Sequence, residues 1–134
     1  SSTLVLFLIL FFNSDYLKLR YVNQIKSYLD VKDGVEGVIN ISEKQNEDSS
    51  IFNLGHIQKM NVKDLADIVC DEMHLKNVDY EFAGGERGWL GDSPFVHLAT
   101  SKAYRYGWEP KIDIEIGIRN TVKYLLSDVS KRFR

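Results

Sequence analysis

Residues Ala83–Lys111 read AGGERGWLGDSPFVHLATSKAYRYGWEPK, and Gly117-Ile118-Arg119-Asn120-Thr121-Val122 follows a few residues later. By its own chemistry the stretch is a glycine-punctuated loop, Gly84–Pro94, followed by a short helix. Glycines at 84, 85, 88 and 91 are too dense for a regular element, because each loses more backbone freedom on ordering than any other residue. Thr100 or Ser101 is suited to cap the helix, and Gly107 to end it in the left-handed conformation. Trp89 and Trp108 read as packing anchors rather than platforms for a stacked base. Lys102 reads as a helix-start residue and Lys111 as a solvated loop charge.

Moving outward, Asp113–Val129 predicts a final helix with Ile114, Ile118, Val122, Leu125 and Leu126 inward. The clearest helix is Asn61–Met73, whose Val62, Leu65, Ala66, Val69, Cys70 and Met73 follow helical spacing. Asn61 suits its N-cap, and Asp64 gives a variant of the capping box. Val78–Phe82 alternates as a strand. Leu17–Tyr21 and Ile25–Leu29 carry strand-like content around Val22-Asn23-Gln24. Asp30 or Lys32 leads into a helix over Asp33–Ser42, with Val35, Val38 and Ile39 marking its apolar face. Glu43–Ser50 is a polar loop. Ile51–Leu54 reads as a short buried strand ending at Gly55, and Phe95–Leu98 as another. The expected class is α/β with an α+β character, helices packed on short strands, in one domain over residues 1–134.

A chain of 134 residues buries roughly two-thirds of its unfolded surface, enough for one core. The formal net charge of −2 argues against a general nucleic-acid or phospholipid binder, whose surfaces select excess lysine and arginine. The basic tail Lys131-Arg132-Phe133-Arg134 reads as a solvated helix end. Cys70 is the single cysteine, so no disulfide framework forms within the chain and a reducing, cytoplasmic compartment is expected. On an apolar helix face Cys70 acts as a small hydrophobe. His56, His74 and His97 show no metal-ligand spacing. Leu4–Phe12, LVLFLILFF, is too short for a membrane span of ~20 residues. It has neither the positive flank nor the cleavage site of a signal peptide, and reads as a segment buried on all sides or packed against another domain.

Two patterns imitate catalytic motifs. Gly85, Gly88 and Gly91 fit Gly-x-x-Gly-x-x-Gly. A dinucleotide site needs a helix next, whose N-terminus holds the pyrophosphate, and Asp92–Val96 reads as extended. Tyr28-Leu-Asp-Val-Lys32 fits Tyr-x-x-x-Lys. That pair shares a face only on a helix. On the strand expected here the two side chains stand about 13 Å apart at ~3.3 Å per residue.

The order Gly-Gly, Arg-Gly-Trp, Gly-Asp-x-Pro, Ser-Lys-Ala, Gly-Trp-x-Pro-Lys, Gly-Ile-Arg-x-Thr resembles the C-terminal end of nucleotide-sugar epimerases and dehydratases. These are extended short-chain dehydrogenases/reductases, and the resemblance is closest to UDP-glucose 4-epimerase-like members. It extends further back. Leu17–Gly37 resembles the family hairpin that leads into Tyr-x-x-Val-x-Asp, Ile51–Gly55 the Tyr-Asn-x-Gly strand, and Asn61–Met73 the Val-x-x-Leu-Ala helix. Ser1–Phe12 is faintly similar to the helix before the hairpin. Ala99 replaces the usual Asp, and Arg20–Asn23 replaces a Gly-Asp-Gly-type turn.

The resemblance implies the small C-terminal substrate domain without the Rossmann domain. It implies a nucleotide-sugar such as a UDP-sugar as ligand. Lys26 and Arg87 stand where the family contacts the diphosphate, and Asp92 where it accepts a ribose hydroxyl. A diphosphate wants two cations, and an arginine fork is the better donor. No residue is assigned to catalysis, to cofactor binding or to a metal. NAD belongs to the full-length family, and without it there is no hydride acceptor for oxidation at the sugar C4. The expectation is therefore a truncated or split epimerase, inactive alone, weak for UDP-sugar, with a homo-oligomer or a Rossmann-half partner. The alternative is a non-catalytic module that docks on a full-length relative or a separate cofactor-binding chain.

Overall fold

The computed structural model describes residues 16–19, 25–46, 49–82 and 98–132. Strand β1 (Tyr16–Leu19) is followed by β2 (Ile25–Lys26) and helix α1 (Val31–Lys44). Strand β3 (Met60–Asn61) runs into α2 (Val62–Glu72). Strand β4 (Asp79–Phe82), the short α3 (Ser101–Arg105) and the long α4 (Ile114–Arg132) follow among the described residues. Helices thus pack with a few short strands, as the class expectation had it. Leu4–Phe12, the loop glycines 84–91, Trp89 and His97 lie outside the described residues.

The core is built where the periodicity is strongest. Leu65, Ala66, Ile68, Val69 and Cys70 of α2 meet Ile114, Ile118 and Val122 of α4, with Leu125 and Leu126 at the margin. Leu65, Val69 and Val122 are wholly enclosed. Asn61 caps α2 by accepting from the Asp64 amide at 2.7 Å, while its own side-chain amide donates to the Asp64 carboxylate at 2.7 Å. The far end closes without glycine. His74 takes the left-handed conformation (φ 57°), its amide donates to Asp71 O at 3.0 Å, and the Leu75 amide donates to Cys70 O at 2.9 Å. That pair of bonds is a Schellman motif, and it satisfies carbonyls that the helix end would otherwise orphan.

A second, smaller core joins Ile41 of α1, Ala103 of α3 and Trp108, with Leu29, Phe52, Leu54, Tyr104 and Tyr106 around them. Phe52 and Tyr106 meet edge-to-face at 4.9 Å between centroids. Trp108 is the packing anchor expected of it, 2% exposed.

Several local expectations are corrected. The strand expected over Ile25–Leu29 ends at Lys26. Asp30 then acts as N-cap, accepting from the Lys32 amide at 2.8 Å, so α1 starts two residues earlier than expected and runs on to Lys44. β1 and β2 do not form a hairpin with one another. β1 pairs in parallel with β4, and β2 pairs antiparallel with β3. Ile51–Leu54 is not a strand. Phe52 and Leu54 reach the second core with their side chains while Ile51 is exposed. Leu98, the described end of the strand expected over Phe95–Leu98, also lies in irregular chain.

The largest correction concerns the face of α1. Val35, Val38 and Ile39 do share a face, but it is exposed, and the buried positions are Asp33, Gly37 and Ile41. The physical reason is Trp108. Its ring occupies the notch left by Gly37, where a Cβ would come within 2.7 Å of Trp108 Cε2. That approach rotates the helix so that its valines face away.

Candidate functional site

The N-terminal half of α1 anchors the loop that leads into α4. Asp33 is 2% exposed, and its carboxylate accepts from the backbone amides of Lys111 at 3.0 Å and Ile112 at 2.8 Å. The Trp108 indole donates to the Asp33 carbonyl at 3.1 Å. Lys111 Nζ pairs with Glu36 one turn on, and that carboxylate raises the Lys111 pKa through its hydrogen bond and charge. A buried carboxylate needs hydrogen-bond donors, and here two amides of the 108–112 loop both donate to Oδ2. The loop is thereby strapped across α1. Lys111 was read as a solvated charge; it is exposed, and also paired.

From that strap the chain enters α4. Asp113 caps it, accepting from the Glu115 amide at 2.9 Å, and accepts from the Gln58 side-chain amide at 2.8 Å. These two donors, Gln58 first, hold the Asp113 carboxyl below its ordinary pKa. Gln58 also accepts from the Ile114 amide at 3.1 Å, and its own backbone amide donates to His56 Nδ1 at 2.9 Å. An open cleft of about 300 Å³ lies here, bordered by His56, Gln58, Tyr104, Glu109, Lys111 and Asp113. Its Gln58, Lys111 and Asp113 side chains are engaged with the protein, which makes it a junction of loops.

Lys26 is half-buried in β2, opposite Met60 of β3. Just beyond it the Ser27 hydroxyl donates to the His56 carbonyl at 2.8 Å. The strand pairing and that bond together fix the backbone of Lys26. Arg87 and Asp92, the other two candidate residues, lie outside the described residues. Of the three, Lys26 alone lies among the described residues.

The Tyr28–Lys32 motif is not on one helix. Tyr28 precedes the Asp30 cap by two residues and packs against the main core, where burial pushes its pKa up. Lys32 is exposed at the second position of α1. Cys70 is a buried thiol at 3.4 Å from the Tyr80 hydroxyl, and burial raises its pKa. Tyr80 donates to Asp67 at 2.9 Å, and Asp67 pairs with Lys63 at 2.6 Å. Burial, then its bonds to Cys70 and Asp67, push the Tyr80 phenol well above its usual range. The phenol therefore stays protonated, a donor that ties β4 to α2. Among the described residues no group of His, Cys, Asp and Glu is arranged to hold a metal, and no helix is long and apolar enough to cross a membrane.

Sequence reasoning missed Asp33, and it placed Lys102 rightly at a helix start without its partners. Asp33 sits in the first turn of α1, where an acid is ordinary, so its burial carried no signal. Lys102 donates to Ser50 Oγ at 2.6 Å and to the Ile51 carbonyl at 3.2 Å, and lies 4.3 Å from the Phe52 ring centroid. It thus pins the 50–52 segment to α3. Gly37, a glycine inside a helix, was the legible hint of a close approach.

The architecture has solved counterparts. Over 93% of its length the chain superposes on UDP-galactose 4-epimerase, with a TM-score of 0.75 and 25% identity, covering 40% of that chain. The fold resembles that of the nucleotide-sugar epimerases. UDP-glucose 4-epimerase of Thermotoga maritima, solved with UDP-glucose, matches 95% of this chain at a TM-score of 0.73 and 24% identity, again over 40% of its own length. dTDP-glucose 4,6-dehydratase of Bacillus anthracis, solved with NAD, shares the fold over 92% of this chain and 38% of its own, at a TM-score of 0.71 and 17% identity. The chain thus spans about 40% of the length of these structures. No protein-family model matches the sequence, and no curated protein is significantly similar to it.

Proposed function

We propose that this chain is the nucleotide-sugar-binding half of a UDP-glucose 4-epimerase-like, NAD-dependent enzyme. The observation that carries the reading is the match of 93% of the chain to 40% of UDP-galactose 4-epimerase. The sequence block over Ala83–Lys111, with its Arg-Gly-Trp and Gly-Asp-x-Pro segments, supports it independently. In this reading Lys26 and Arg87 neutralise the diphosphate, and Asp92 accepts from a ribose hydroxyl. Lys26 brings charge without a bidentate fork, so Arg87 carries the larger share.

Hydride chemistry at the sugar falls to NAD held by the complementary half. The Tyr28–Lys32 spacing supplies no substitute, since Tyr28 is packed in the core outside α1. The chain alone is expected to bind and not to turn over. With one wall of a cleft in place of two, only a small surplus over the cost of association remains, and a Kd of about 1 mM is expected, ~4 kcal/mol of binding.

A calorimetric or ligand-observed NMR titration of the 134-residue chain with UDP-glucose tests this. Saturable binding near 1 mM, weakened at least tenfold by Arg87→Ala and less by Lys26→Ala, is the expected result. A folded sample that shows no binding at several times ~1 mM, or binding indifferent to Arg87→Ala, overturns it.

A further inference from the structure

His56, half-buried, holds two neighbours with two different atoms. Its ring Nδ1 accepts from the Gln58 amide at 2.9 Å, and its carbonyl accepts from the Ser27 hydroxyl at 2.8 Å. The first bond closes a side chain on the amide two residues ahead, as asparagine and aspartate do when they make a local turn. It fixes the intervening peptides, and with them the direction of the His56 carbonyl. The second bond ties that carbonyl to the residue after Lys26. β2 is only two residues long, Ile25 and Lys26 opposite Asn61 and Met60, so the Ser27 bond is a substantial part of what holds Lys26.

A ring nitrogen that accepts an N–H must carry a lone pair, so this turn requires a neutral imidazole with its proton on Nε2. Protonation at Nδ1 sets a donor against a donor. Tyr104 of α3, Glu109 and Lys111 of the strap and Asp113 at the start of α4 border the same cleft as His56 and Gln58. Lys111 is held by Glu36, and Asp113 by Gln58 and the Glu115 amide. A charged ring is drawn toward the Glu109 and Asp113 carboxylates and away from the Gln58 amide, with Lys111 opposing.

We propose that His56 is a pH-dependent positioning residue for Lys26: the neutral ring holds Lys26 ready for the diphosphate, and the protonated ring releases it. This rests on the reading under Proposed function and adds regulation to the same site. Its sign is opposite to that of simple electrostatics. A cation added beside an anionic ligand strengthens binding in acid, whereas release of Lys26 weakens it. The loss of about one hydrogen bond's worth of positioning corresponds to a roughly 3- to 10-fold drop in affinity.

Ligand-observed NMR with UDP-glucose at about pH 7.5 and about pH 5.5 tests this in the parent, His56→Asn and His56→Ala. In the parent, Kd rises roughly 3- to 10-fold in acid. Asparagine closes the same turn without titrating, so His56→Asn binds like the neutral parent at both values. His56→Ala has no side-chain acceptor and binds like the acidified parent at both. Should His56→Ala unfold, the parent and His56→Asn decide. Parent affinity that is unchanged or higher in acid overturns the proposal, as does an acid loss that His56→Asn retains. A second arm needs no ligand. In the free chain the amide resonances of Lys26 and Ser27 should shift with the midpoint of the His56 ring, and stay still in His56→Asn. Resonances indifferent to His56 sink this inference whether or not UDP-glucose binds. Resonances that follow His56 in a chain that does not bind UDP-glucose leave the coupling standing and sink only the functional reading.

Discussion

Gly37 shows at a single atom how this chain is held. In an exposed helix Gly→Ala gains up to about 1 kcal/mol of propensity. Here the new methyl would meet Trp108 Cε2 at 2.7 Å, Nε1 at 2.8 Å and Leu54 Cδ1 at 3.0 Å. A buried indole that donates to Asp33 O has nowhere to move without losing that bond. Overpacking wins, and Gly37→Ala is expected to destabilise by about 1–3 kcal/mol, read as a lower midpoint in urea. A midpoint equal to or above that of the parent would show that Trp108 is free to shift. Asp33 belongs to the same argument. Its charge is placed by two loop amides that no local pattern could reveal, because they come from Lys111 and Ile112, far along the sequence.

At the scale of elements, the helices hold by their ends. α4 begins at Asp113, whose carboxylate serves both the Glu115 amide and the Gln58 side chain. Asp113→Ala is expected to cost about 1 kcal/mol near neutral pH. The pH dependence has a defined sign. The folded pKa is depressed below 3.8, so the contribution is present above that value and lost as pH falls through the folded pKa. The stability gap between parent and Asp113→Ala therefore narrows below about pH 4. Parallel curves of midpoint against pH, down to acid unfolding, would show that the carboxylate's ionisation has no part in it. Tyr80 works in the opposite direction. Its raised pKa means that the strut it forms to Asp67 weakens only in strong alkali.

For the whole molecule, stability is unevenly distributed. The α2–α4 core holds the fully enclosed Leu65, Val69 and Val122. The described strands are two or four residues long and pair two by two among the described residues, and such pairs are marginal in isolation. Native-state hydrogen exchange should therefore rank the amides of the middle of α2 and α4 as slowest, with those of β2 and β3 opening first. Equal protection across both groups would mean that the short sheets are part of one cooperative unit with the helices.

What the sequence determined by itself is local and periodic. The α2 and α4 helices, the Asn61 cap, the inward Ile114, Ile118 and Val122, the β4 strand and the Trp108 anchor all follow from spacing and side-chain chemistry within a few residues. The likeness to epimerases was likewise legible in short glycine, tryptophan and proline signatures. Tertiary structure decided whatever depends on partners distant in the chain. Strand pairing joins β1 to β4 and β2 to β3 across dozens of residues, so adjacent strand signals suggested a hairpin that does not form. The inward face of α1 was set by the docking of Trp108 at Gly37, which overrode the valine pattern. Periodicity says that a helix has an apolar face; only packing says which face the rest of the chain covers.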